Sequence, residues 1–274
     1  MNLAINTLIF GPVSLESKLE ACAKAGFEFV ELWHDEVLEF GVSRSRALLR
    51  KLNLKVSSLE VLRGWFELDG GLMGVDDRES SIFEACRERM QIASDLECPF
   101  VIACPSFSHR GKFSSLEEGA QRYLRLLDLG DSLGVCPALE FMGQTGQINS
   151  LRKAVEFYNL VSDSRMKLVI DAYHIWRSGN ESSGLDRIPS SNLALFHVSD
   201  AQPNIPRQEH RDRDRVLPGD GCINLKDFLI YANLINSEAV LSIGVYNPMY
   251  WDKDPILTAE TAYIKTNNLL TEIE

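Results

Sequence analysis

Short apolar runs alternate with amphipathic segments from one end of the chain to the other. LAIN (3–6) predicts a first strand. SLESKLEACAKAG (14–26) predicts a helix: a serine N-cap, leucines and alanines at helical spacing, and a glycine stop. FEFVELW (27–33), LKVSSLEV (54–61) and PFVIACP (99–105) predict strands two to four. SRSRALLRKLN (43–53) and SSIFEACRERMQIASDL (80–96) predict the helices between them. The second half repeats the plan. SLEEGAQRYLRLLDLGDSLG (115–134) leads into a fifth strand, VCPALEF (135–141), and SLRKAVEFYNLVS (150–162) into a sixth, MKLVIDAY (166–173). A shorter polar segment (180–189) leads into LALFHVSD (193–200), NLKDFLIYANLI (224–235) leads into AVLSIGV (239–245), and PILTAETAYIKTNNLL (255–270) closes the chain.

The strands are continuously apolar rather than alternating, the pattern of a parallel sheet covered on both faces. Eight strand–helix units at a mean spacing of roughly 34 residues, with no linker, predict an α/β fold. The expected architecture is one closed (β/α)8 TIM barrel, a single domain over residues 1–274. The competing architecture, a doubly wound open sheet, expects a glycine-rich first turn, and NTLIFGPVS (6–14) is not G-x-G-x-x-G.

Composition narrows the function classes. With 45% hydrophobic and 24% charged residues, the 274-residue chain can bury a large core without staples. A net charge of −11 argues against nucleic acid. HRDRDR (210–215) is the one basic candidate, and its interleaved aspartates make a poor phosphate track; a solvated loop is the alternative. The six cysteines form no C-x-x-C pair, which suits buried thiols in a reducing compartment. Neither a signal-peptide pattern nor a run of ~18 apolar residues occurs. The expectation is a cytoplasmic protein with a small-molecule substrate and no nucleic-acid or membrane partner, a homodimer being allowed.

The strand endings carry the candidate chemistry, because barrel active sites form on the C-terminal face. The polar residues there are Asn6, Glu31, Glu60, Glu140, Asp171, His174, His197 and Asp200. Charges at the ends of apolar strands are costly unless paired, hydrated or metal-bound. Glu140, Asp171 and His197 come from consecutive strands five, six and seven. Two carboxylates and an imidazole suit one divalent ion, Mn²⁺, Zn²⁺, Co²⁺ or Fe²⁺. Any one of them alone reads as structural, a strand-end glutamate often being an arginine's partner. At the comparable point of strand eight stands Gly244.

GFEFVELW (26–33), ALEF (138–141), LVIDAYHIWRSG (168–179), FHVSDAQ (196–202), RVLPGDGCIN (215–224) and NPMYWDKDP (247–255) together carry a resemblance. Over nearly its whole length the chain resembles the sugar phosphate isomerase/epimerase family of xylose-isomerase-like barrels. That family includes inosose isomerases and dehydratases, hydroxypyruvate isomerase, 3-dehydroshikimate dehydratases and the endonuclease IV branch. The resemblance implies a divalent metal held by Glu140, Asp171 and His197, with Glu140 also the catalytic base. A fourth ligand, a strand-eight glutamate, is expected where this chain has Gly244. The altered position leaves open an ion held weakly or not at all. His174, Arg213, Arg215, Glu60, Trp33 and Asn6 are the expected substrate contacts. Asp200 is expected to orient a loop or to fix the His197 tautomer, and Glu31 and Glu60 to form internal ion pairs or to serve as a surrogate base.

Three functions follow: a metal-dependent isomerase or epimerase of a small sugar, sugar phosphate or related polyhydroxy carbonyl compound; a 3-dehydroshikimate- or inosose-type dehydratase on the same site; or a non-catalytic ligand-binding barrel. Endonuclease action fits poorly with five histidines and the acidic charge.

Overall fold

A computed structural model describes residues 1–66, 78–105, 115–143, 146–179, 185 and 188–273. The predicted strands form within about two residues of their expected limits. They are β1 (Asn2–Asn6), β2 (Phe29–Trp33), β3 (Lys55–Leu62), β4 (Phe100–Ala103), β5 (Cys136–Glu140), β6 (Lys167–Asp171) and β7 (Leu193–Val198). A small antiparallel pair follows, β8 (Asp200–Ala201) with β9 (Arg215–Val216), and then β10 (Val240–Ile243). The eight longer strands are parallel and close into a barrel in the order β1-β10-β7-β6-β5-β4-β3-β2, the architecture expected from the sequence.

Helices α1 (Leu15–Ala25), α3 (Val42–Leu52), α4 (Arg78–Asp95), α5 (Leu116–Leu133), α6 (Leu151–Val161), α8 (Leu225–Ile235) and α9 (Pro255–Thr271) match predicted segments. Their ends follow the predicted chemistry. The Ser14 side chain accepts from Ser17 N, and Gly26 closes α1 at φ 93° with its N–H on the carbonyls of Cys22 and Ala23. Ser115 and Glu118 form a capping box on α5. Two helices are additional, α2 (His34–Phe40) and α7 (Ala172–Ser178). Each follows directly on a strand with no turn residue between, so neither is signalled locally. The α2 turn is pinned instead by tertiary bonds: Glu36 accepts from Thr7 Oγ1 at 2.6 Å and from Lys18 Nζ at 2.5 Å. Most of the polar segment 180–189 lies outside the described residues.

The chain divides into two compact units. The first comprises Met1–Ser58, Asp171–Tyr173 and Leu195–Glu274. In it β1 pairs with β10 and β2, and β10 pairs with β7, in a register that sets Asn6 beside Glu31 and Ser242 beside His197. Helices α1 and α9 pack together, with Phe27 edge-on to Tyr263 at 5.2 Å. The second comprises Leu59–Ile170 and His174–Ala194. In it β3, β4, β5 and β6 pair in sequence. Its core is aromatic: Trp65 stands 5.3 Å from Tyr123, and Phe157 packs against both Tyr123 and Phe66. No described helix is long and apolar enough to cross a membrane.

Candidate active site

In the first unit, a buried carboxylate gathers donors from three strands. Glu31 is wholly buried, because β2 places it on an inward face two residues before the strand ends. Asn6, the last residue of β1, donates Nδ2 to Glu31 Oε1 at 2.5 Å. The Ser58 hydroxyl donates to Oε2, and His197 Nε2 donates to the same oxygen at 2.8 Å. A carboxylate taken out of water needs such donors, and charged acceptors make the strong bonds. Asn6 Oδ1 in turn accepts from Trp33 Nε1 at 3.1 Å. Trp33 is only partly buried and stands at the rim of this network. Glu31 is thus an internal partner of His197, one of the two roles expected for it.

A second network surrounds Arg215, which is 2% exposed. Its Nη1 donates to Asp171 Oδ2 at 2.7 Å and to Ser199 Oγ at 3.1 Å, and Nη2 lies 3.2 Å from Asp212 Oδ1. Its guanidinium covers the Tyr173 ring at 4.1 Å and lies 5.5 Å from the Tyr246 ring centre. Burial works against the charge, but the carboxylates of Asp171 and Asp212 outweigh it and hold the Arg215 pKa well above the arginine range. Asp171 Oδ1 accepts from Tyr173 N at 2.7 Å. Arg213, by contrast, is exposed on its turn.

Asp200 orients a loop. Its Oδ1 accepts from Ala201 N and Ile223 N, both at 2.9 Å, and its Oδ2 from Gly219 N at 3.1 Å. His210 is buried and donates Nε2 to Gln202 O at 2.9 Å, so HRDRDR folds back onto the protein as short turns.

Gly244 follows β10 directly, and its N–H bonds to Val198 O at 3.1 Å. Two residues on, Tyr246 turns back: its ring stands edge-on to Trp33 at 6.4 Å, and its hydroxyl accepts from Asn6 Nδ2 at 3.4 Å. Sequence reasoning missed Tyr246. The available signal was a tyrosine three positions past a strand end.

In the second unit, Glu140 ends β5 and is 6% exposed, as is Glu60 on β3. Cys104 Sγ lies 3.8 Å from Glu140 Oε2. Burial, then the charges of Glu140 and Glu60, push the Cys104 thiol well above its usual range, against a smaller opposing pull from Arg63. His174, in α7, is buried with its ring 6.3 Å from that of Phe141. Trp176 is buried as well.

Related chains are known. The chain is similar to the inosose isomerase of Bacillus velezensis, 28% identical over 268 residues that cover 94% of this chain and 91% of the relative. It is also similar to a 3-dehydroshikimate dehydratase of Pseudomonas aeruginosa, 23% identical over 85% of this chain but only 36% of that protein. The crystal structure of the IolI protein with a zinc atom superposes with a TM-score of 0.87 at 23% identity, covering 100% of this chain and 99% of that one. The family model for xylose isomerase-like TIM barrels matches residues 19–265. The chain belongs to the xylose isomerase-like TIM barrel family.

Proposed function

We propose that this chain is a metal-dependent sugar isomerase or epimerase acting on an inosose or a related polyhydroxy carbonyl compound. The observation that carries the reading is the donor set at the strand ends. Glu140 ends β5, Asp171 ends β6 and His197 stands one residue before the end of β7, and all three are buried. Glu31, Glu60 and His174 add further buried groups of ligand type. Likeness to inosose isomerases over most of the chain supports the substrate class.

The donors fit a divalent ion. Two carboxylates and an imidazole are borderline ligands suited to Zn²⁺, Mn²⁺, Co²⁺ or Fe²⁺. His197 Nε2 donates to the Glu31 carboxylate, a carboxylate–histidine arrangement that orients the ring. Arg215 and the Tyr173 N–H each bond one oxygen of Asp171. Gly244 supplies no fourth ligand, in keeping with sites that retain an open position for substrate. Bound there, a divalent ion supplies Lewis acidity to a substrate carbonyl. Glu140 takes the proton from the carbon beside that carbonyl and returns it to the neighbouring carbon or to the opposite face. Asn6 and Trp33 present an amide and an aromatic edge to hydroxyls, and Arg215 holds Asp171 in place.

Glu140→Gln tests the assignment. It should reduce turnover of inosose by about 10²–10⁴-fold while leaving the melting temperature unchanged; a Glu140→Gln protein of ordinary activity would remove the base. The dehydratase relative supports a second reading with the same first step. Ultraviolet absorbance from an enone product separates it from isomerisation.

A further inference from the structure

The end of β10 leaves a space, and that space is lined by a phenol. Gly244 is buried, and its φ lies outside the left-handed range, so the backbone there does not call for glycine. A Cβ at 244 would stand 3.5 Å from Tyr246 Oη and 3.9 Å from its Cζ, which are ordinary contact distances. What the absent side chain leaves is therefore room beside the Tyr246 hydroxyl. That hydroxyl receives the Asn6 amide, and Asn6 is anchored to Glu31. The ring is braced by Trp33, and the Arg215 cation lies beside it. Tyr246 and Trp33 are partly exposed, whereas Asn6, Glu31 and Arg215 are buried. The phenol thus stands where the polar network meets solvent. Around it, Glu31 accepts three donors, and Arg215 bonds Asp171, Ser199 and Asp212.

We infer that Tyr246 is a catalytic acid/base working on the substrate oxygens in the space that Gly244 leaves. The inference rests on the isomerase reading above. Moving a carbonyl to the adjacent carbon shifts one proton between carbons and one between oxygens. In the first half, the carbon-bound hydrogen leaves as a proton to a base, and its electron pair forms the C=C bond of an enediol. The Tyr246 O–H bond breaks, and its proton forms a new O–H bond on the former carbonyl oxygen. In the second half, the phenolate takes the proton of the neighbouring hydroxyl, whose oxygen becomes the new carbonyl as the other carbon is protonated. Tyrosine and base end as they began. Charge developing on the phenolic oxygen is met by the Asn6 amide and the Arg215 guanidinium, dipole and cation already in place.

Tyr246→Phe keeps the ring, its edge contact with Trp33 and its place beside Arg215, and removes only the hydroxyl. Steady-state kinetics on inosose should show kcat lower by about 10²–10⁴-fold with KM changed only a few-fold, and with melting temperature and bound zinc unchanged. A kcat within about threefold of the unsubstituted protein would overturn the inference and leave the isomerase reading standing. An unsubstituted protein that turns over no inosose would overturn that reading and this inference with it. Gly244→Ala is the second variant: a methyl in the space should raise KM with the fold retained. Unaltered kinetics in Gly244→Ala would show that substrate does not use the space.

Discussion

Replacing Arg215 by methionine should destabilise the protein far more than its modest net contribution suggests. At 2.7 Å the Arg215–Asp171 attraction is about 6 kcal/mol for an effective dielectric of ~20. Taking both ions out of water costs several kcal/mol each, so the intact pair comes out near balance. The variant leaves Asp171, whose side chain is 2% exposed, with the backbone N–H of Tyr173 but without the guanidinium. Removing one partner of a buried ion pair costs about 3–5 kcal/mol. Asp171→Asn removes the charge while keeping an oxygen for Tyr173 N, so the double variant should recover part of the loss, with a coupling of about 2–3 kcal/mol. Urea unfolding of the four chelator-treated proteins at pH 7, followed by circular dichroism, measures this. An Arg215→Met protein within about 1 kcal/mol of the parent, or a cycle with no coupling, would refute the reasoning.

Three further outcomes are expected. Glu31→Gln weakens the hold on His197 and should lower zinc affinity about 10–100-fold in a chelator competition; unchanged affinity would mean that Glu31 does not orient the ligand. Burial pushes the Cys86 thiol from 9.0 up to about 12, with Arg89 pulling the other way. A raised folded pKa means that only the unfolded chain ionises above pH 9, so stability is complete below pH 9 and is lost as pH rises towards 12; at pH 10 the loss is about 1.4 kcal/mol for this thiol. Cys86→Ala should shrink the drop in unfolding free energy between pH 8 and 10 by about that amount, and an identical drop would contradict it. Gly119→Ala places a Cβ 2.1 Å from Phe66 Cε2, and such overpacking should cost about 1–3 kcal/mol, read as a lower melting temperature; an unchanged melt would show that Phe66 moves aside freely.

The barrel was legible because its signals are local and repeated. Continuous apolar runs such as LVID (168–171) separated by capped helices fix strand, direction and spacing together. The helices α2 and α7 were not legible, since each begins without a turn residue and α2 is held by Lys18 and Thr7 on other elements. Position along a strand marked Glu31 as a candidate, and the family resemblance marked Arg215, but neither gave their partners. That Glu31 meets His197, and that Arg215 meets Asp171, depends on residues 166 and 44 positions apart. Asp200 was ambiguous for the same reason, and its loop-orienting role emerges only from three backbone N–H groups brought to it. Tyr246 escaped notice because its importance comes from turning back beside a glycine, and no periodicity encodes that.

The most direct test of the central claim is proton exchange at carbon. Inosose is incubated in D₂O with the chelator-treated protein, then with added Zn²⁺ or Mn²⁺, and followed by NMR. The account predicts deuterium entering beside the carbonyl and migration of the keto group or inversion of the carbon, with the added ion restoring the rate. Neither exchange nor rearrangement with any divalent ion would contradict it.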